Sequence, residues 1–182
     1  MKDRMPPLAD AELTPAQMAA KAAIIDGPRG RFEGPFVPLL RSPDLMGRLE
    51  KMGEYLRFGS GLSGRIRELA ILIVASEYRE ETEWGIHKPI ALKAGLSGEV
   101  IAAVAEGRRP EGMAEDEQVV WDFVFEIFAK RRVSDVTYGR AAQKFGEDGV
   151  IDLTCLCGYY GLLALVMNVA QTPPPEGADR LG

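Results

Sequence analysis

Apolar positions along this chain follow helical spacing, and the breaks between apolar runs carry helix caps. Thr14-Pro-Ala-Gln17 predicts a helix start, with Thr14 as N-cap, Pro15 at the first helical position and Gln17 completing a capping box. That helix should run to about Asp26 and stop at Gly27-Pro-Arg-Gly30. A glycine- and proline-rich ordered loop follows to about residue 37, holding Arg29, Arg31 and Phe32. Phe36-Val-Pro-Leu-Leu40 reads as a short apolar turn. Ser42 with Pro43 marks a second start, and Leu45, Leu49, Met52 and Leu56 should form one buried face of the helix behind it.

Ser63 opens the next helix, whose run Leu69-Ala-Ile-Leu-Ile-Val-Ala75 is apolar all round and therefore central. Another helix carries Trp84 to Ala94 and stops at Gly95; a short one spans Ser97 to Glu106 and stops at Gly107. Ala114 to Lys130 is amphipathic through Val120, Phe123, Val124, Ile127 and Phe128. Ser134 caps a helix that ends at Gly146, and Asp148 opens the last one, closed by Pro173-Pro-Pro175. No segment alternates as a strand does. The expected fold is all-α, one domain over residues 1–182, with short polar tails at 1–12 and 172–182.

Composition narrows the function. The chain has 182 residues and 46% hydrophobic content, enough for one sizeable core. A net charge of −5 and a pI near 5.1 leave no footprint for nucleic acid; the longest basic cluster, Lys130-Arg-Arg132, reads as a helix C-terminus complementing its own dipole. Cys155 and Cys157 stand two residues apart, about 200° around a helix, and are expected as buried thiols rather than a disulfide or metal pair. Leu153–Gln171 lacks charge, yet polar and glycine residues dilute it and no basic cluster flanks it, so a core or subunit-facing helix is expected rather than a membrane span. With no apolar leader at the N-terminus, the expected location is the cytoplasm.

The chemistry concentrates in Glu80-Glu-Thr-Glu-Trp-Gly-Ile-His87, directly after the apolar run. His87 is the single histidine, and Glu83 lies four positions before it, on the same helix face. A carboxylate and an imidazole at the edge of an apolar layer form a proton-transfer pair whose pKa values burial can move. Glu68, just before the apolar run, is a third candidate. The bland alternative is an exposed intrahelical pair and a first-turn acid. Arg29 and Arg31, in their loop beside Phe32, are candidates for carboxylate recognition, with Trp84 as an apolar wall. Arg65, Arg67, Arg79 and Lys88 fit solvated helix faces equally well. Tyr159 and Tyr160 are expected in the core or at an interface; Asn168 should satisfy a buried partner, and Gly158 and Gly161 should permit close helix approach. There is no phosphate-binding loop or dinucleotide fingerprint, and one histidine cannot supply a transition-metal site. Chemistry here is expected to be cofactor-free acid–base catalysis.

Those residues resemble the carboxymuconolactone decarboxylase family, the superfamily that includes alkylhydroperoxidase AhpD. The resemblance rests on Arg67-Glu-Leu-Ala-Ile-Leu-Ile-Val-Ala75, Glu83-Trp-Gly-Ile-His87, Ile90-Ala-Leu-Lys-Ala-Gly-Leu-Ser97 and Val100-Ile-Ala-Ala-Val-Ala-Glu-Gly107, a core of about residues 45–110. It implies an all-α AhpD-like fold and a homo-oligomer, trimeric or hexameric, with its site near a subunit interface. Glu68 and His87 match the family's glutamate and histidine. The redox Cys-x-x-Cys of the peroxidase branch falls on Glu80 and Glu83, which can supply neither a thiolate nucleophile nor a resolving thiol.

What the resemblance leaves is the proton-handling half of a site: His87 as general acid, Glu83 orienting or tuning it, and Glu68 as a relay or orienting acid. The implied reaction is decarboxylation of a small carboxylated lactone, or equally an isomerisation, hydration or retro-aldol step on a related keto or enol acid. Two rival readings are the family's peroxidase activity and a non-catalytic scaffold in which Glu68, Glu83 and His87 satisfy one another.

Overall fold

In the computed structural model, which describes residues 2–181, one apolar helix is packed on several sides by the others. This is α4 (Gly64–Glu77); every residue from Leu69 to Ala75 is buried, as an unbroken apolar run requires. Before it come α1 (Pro15–Asp26), the four-residue α2 (Phe36–Leu39) and α3 (Pro43–Glu54), which passes into a π-helical turn, Tyr55–Gly59. After it come α5 (Glu81–Lys93), α6 (Gly98–Ala105), α7 (Glu115–Lys130) and α8 (Asp135–Ala170). Among the described residues there is no strand. α4 packs against α5, α6, α7 and α8, and α7 against α8.

The caps follow their local chemistry. Thr14 and Gln17 close the capping box, and Ser63, Ser97 and Ser134 each accept a backbone N–H in the first turn of the helix they open. Ser42 precedes α3 without a side-chain cap. The long α8 is two helices in conformation: Gly146 has φ 75° and ψ 170°, dividing the segment where a stop is predicted. α8 is long and apolar enough to cross a membrane, and 61% of its most apolar window is buried within the fold.

Three packing expectations are corrected. The buried face of α3 is Met46, Leu49, Glu50 and Gly53, whereas Leu45 and Met52 are 47% and 41% exposed. The helix is rotated because its neighbour needs a position with no side chain at Gly53, described below. Gly158 meets no neighbour, whereas Gly161 lies close beneath the Tyr78 ring and does permit an approach. Asn168 is exposed, and its amide donates to the Tyr78 carbonyl.

The segments expected as polar tails lie against the bundle. The Arg4 amide donates to the Ala170 carbonyl, and Leu181 is buried in the core cluster. Leu72, fully enclosed in α4, tests the central role of that helix. Leu72→Ala should lower unfolding free energy in urea by about 2–5 kcal/mol.

Candidate active site

α5 follows α4 after a short turn and packs along it, which brings α4's single buried acid to α5's single imidazole. Glu68, Glu83 and His87 are 2%, 3% and 3% exposed. His87 Nδ1 meets Glu68 Oε2 at 2.6 Å, and His87 Nε2 meets Glu83 Oε2 at 3.2 Å. The line Glu68–His87–Glu83 therefore uses both ring nitrogens. The Tyr160 ring stands edge-on to the imidazole, with centroids 5.2 Å apart. Glu83 Oε1 is buried and has no hydrogen-bond partner.

Burial opposes a charge on His87, but the carboxylates of Glu68 and Glu83 outweigh it and raise its pKa to about 9. Burial likewise opposes ionised Glu68; the His87 imidazolium, with help from Arg57 and Arg67, nevertheless holds that carboxyl below its usual range. Near neutral pH the interior thus carries an imidazolium paired with a carboxylate. Glu80 has a different part. It is the N-cap of α5, accepting the Glu83 N–H at 2.6 Å, and burial followed by the nearby Glu83 charge pushes its pKa to about 7.

A cavity of about 240 Å³ opens onto this line. Its polar lining is Arg29, Arg31, Glu33, Arg57, Glu83 and His87, and its apolar wall includes Phe36, Phe58, Ile86, Tyr160 and Leu163. Arg31 is paired with Glu33 at 2.6 Å at the exposed side. Arg29 lies over the Phe36 ring, 4.8 Å from its centroid, and donates to the Tyr159 hydroxyl at 3.4 Å. The Arg29 Nε is buried without a partner. Gly53 makes this possible: a Cβ there would collide with both the Tyr159 hydroxyl and the Arg29 guanidinium.

Residues 43–120, from α3 into α7, match the model of the carboxymuconolactone decarboxylase family. The family segment holds Glu68, Glu80, Glu83 and His87, whereas Arg29, Arg31, Tyr159 and Tyr160 reach the site from outside it. Among solved structures the fold is similar to that of an alkylhydroperoxidase AhpD core, an uncharacterized peroxidase-related protein from Ralstonia eutropha JMP134. The TM-score is 0.77 at 17% identity, over 95% of this chain and 92% of that one. The fold is thus AhpD-like, as the resemblance implies. No curated protein matches the chain by sequence.

The structure brings Arg29, Arg31, Glu83 and His87 to one cavity and places Glu68 behind His87. It does not bring Trp84 there; that ring is buried in the core, with its indole nitrogen unpartnered. Arg65 pairs with Asp116 and Glu117, and Lys88 with Asp179. Neither lines the cavity, nor do Arg67 and Arg79. Cys155 and Cys157 are free and away from the cavity, and burial pushes the Cys157 thiol up to about 12. Sequence reasoning missed Arg57 and Phe58, which only the π-helical turn turns toward the cavity, and Gly53. The available signal was a basic–aromatic pair ahead of Gly59 and a glycine in the last turn of α3.

These ionisations make stability depend on pH. Stability tied to the raised His87 pKa is present below its ordinary 6.5 and is lost as pH rises through about 9. Glu80 binds its proton more tightly when folded, so its burial costs stability progressively as pH rises from 4.5 to about 7. Melting temperature should therefore fall from mildly acidic to alkaline pH. Glu80→Gln keeps an oxygen for the cap and removes the buried charge. At pH 8 this variant should exceed the parent by on the order of 2 kcal/mol, and the two should converge below pH 4.5.

Proposed function

We propose that this chain is an acid–base enzyme needing no cofactor, with lyase or isomerase chemistry on a small carboxylated lactone or keto or enol acid. The observation that carries this reading is the buried, unpartnered Oε1 of Glu83, a residue that lines the cavity, with His87 and Glu68 hydrogen-bonded in line behind it. In a scaffold whose acids merely satisfied one another, no carboxylate oxygen would be left over. A thiol peroxidase has weaker support, because the cavity is lined by no cysteine and the Cys157 thiol is held up at about 12.

The cavity of about 240 Å³ lies below the range of sites for drug-sized ligands and suits a compact metabolite. In this reading Arg29 and Arg57 hold a carboxylate, and Phe36 and Tyr160 flank the ring. Because both His87 nitrogens are engaged, Glu83 is the group that meets the substrate; His87 relays and Glu68 fixes the ring. In a decarboxylation the bond to the departing carboxylate breaks, CO2 leaves, and its electron pair enters the conjugated carbonyl. His87 Nε2 gives its proton to the Glu83 carboxylate, the Glu83 carboxyl passes it to the enolate carbon, and solvent restores the proton to His87. Run in the opposite sense, the same line abstracts a proton beside a carbonyl for isomerisation.

The direct test is ultraviolet decay of carboxymuconolactone with CO2 release. Glu83→Gln and His87→Gln should each lower kcat by about 10²–10⁴-fold, and Arg29→Gln should raise KM. Decay that persists with Glu83→Gln would sink the assignment.

We further propose that the chain assembles with copies of itself through α8. Ile151, Leu162, Leu165 and Val169 are exposed there at helical spacing, in a stretch that carries no charge after Asp152. In light scattering, Leu162→Glu with Leu165→Glu should reduce the particle to a monomer.

A further inference from the structure

The segment after α8 is fastened to the outer side of α5 around the Glu83–His87 pair. At one end the Thr82 hydroxyl donates to the Thr172 carbonyl at 3.2 Å. Ala178 then lies so close to Gly85 that a Cβ on the glycine would stand 2.7 Å from the Ala178 Cβ. Asp179 pairs with Lys88 at 2.8 Å, the Leu181 N–H donates to Glu81 Oε2 at 3.3 Å, and the Leu181 side chain is buried. These contacts bracket residues 83–87.

The same stretch of α5 is weak by itself. Pro89 lies inside the helix and has no N–H to donate to the Gly85 carbonyl, so one rung is missing between Glu83 and the end of the helix. Gly85, midway between Glu83 and His87, has the greatest backbone freedom of any residue. An (i, i+4) contact at 3.2 Å across such a stretch depends on support from outside the helix.

We propose that residues 172–181 are a brace that positions His87 against Glu83 and Glu68, so that releasing the segment detunes the proton line while the helical bundle stays folded. The charged and titratable groups about the imidazole are Glu68 from α4, Glu83 from α5 and Tyr160 from α8, with Arg57 and Arg67 close to Glu68. None belongs to the brace. Its removal therefore acts on His87 through geometry, since exposed charges such as Asp179 are largely screened by solvent. The inference concerns the ionisation of the site without substrate and stands apart from the reaction proposed above.

His87 is the single histidine, so its ring is an unambiguous NMR reporter. Its titration would be followed in the full chain, in a chain ending at Pro173, and in Ala178→Leu, which cannot seat against Gly85 and changes no charge. The full chain should titrate near 9. Both variants should retain their helical circular dichroism and titrate lower by about one pK unit or more, toward the ordinary range. If either variant remains helical and titrates within a few tenths of a unit of the full chain, the brace is refuted. Should the shortened chain fail to fold, Ala178→Leu decides alone.

Discussion

The contact of His87 Nδ1 with Glu68 Oε2, 2.6 Å long and enclosed in an apolar bundle, constrains every other polar group near it. Taking a carboxylate and an imidazolium out of water costs several kcal/mol per ion, and their attraction offsets this only when the remaining hydrogen-bonding capacity is met. Glu68 is met by His87 and the field of Arg57 and Arg67; His87 is met by a second carboxylate, Glu83. Glu83 is left with one oxygen unmatched, and this oxygen belongs to a residue of the cavity wall.

Arginines balance the negative excess of this arrangement without quenching it. Arg31 has its own acid, Glu33, whereas Arg29 rests on an aromatic face and a phenol. A guanidinium held by a π-system and a hydroxyl keeps its charge available to an incoming anion, which one locked to a carboxylate does not. The electrostatics of the cavity therefore depend as much on Phe36 and Tyr159 as on the charged residues.

The sequence made local structure legible because caps and stops are local. Thr14 with Gln17, the serines at 63, 97 and 134, and Gly146 act on the backbone within a turn of themselves. Glu68, Glu83 and His87 could be read because their spacing and the apolar run left few places for them to go. The rotation of α3, the inward turn of Arg57 and the exclusion of Trp84 from the cavity were not legible. Each depends on which neighbour occupies the facing surface, information held by residues about a hundred positions away. The docking of 172–181 escaped notice for a related reason: its composition is polar, and four specific contacts rather than an apolar stripe hold it.

Gly53 carries a consequence for how α3 is registered. Its missing side chain is the notch into which the Tyr159 hydroxyl and the Arg29 guanidinium fit. Sliding α3 by a single residue in either direction would present Met52 or Glu54 to that notch, and neither fits. The helix is therefore keyed to α8 like a tooth to its slot. Sequence drift can replace the exposed residues of α3 freely, but an insertion or deletion between Ser42 and Gly53 would throw the key out of its slot and release the arginine with it.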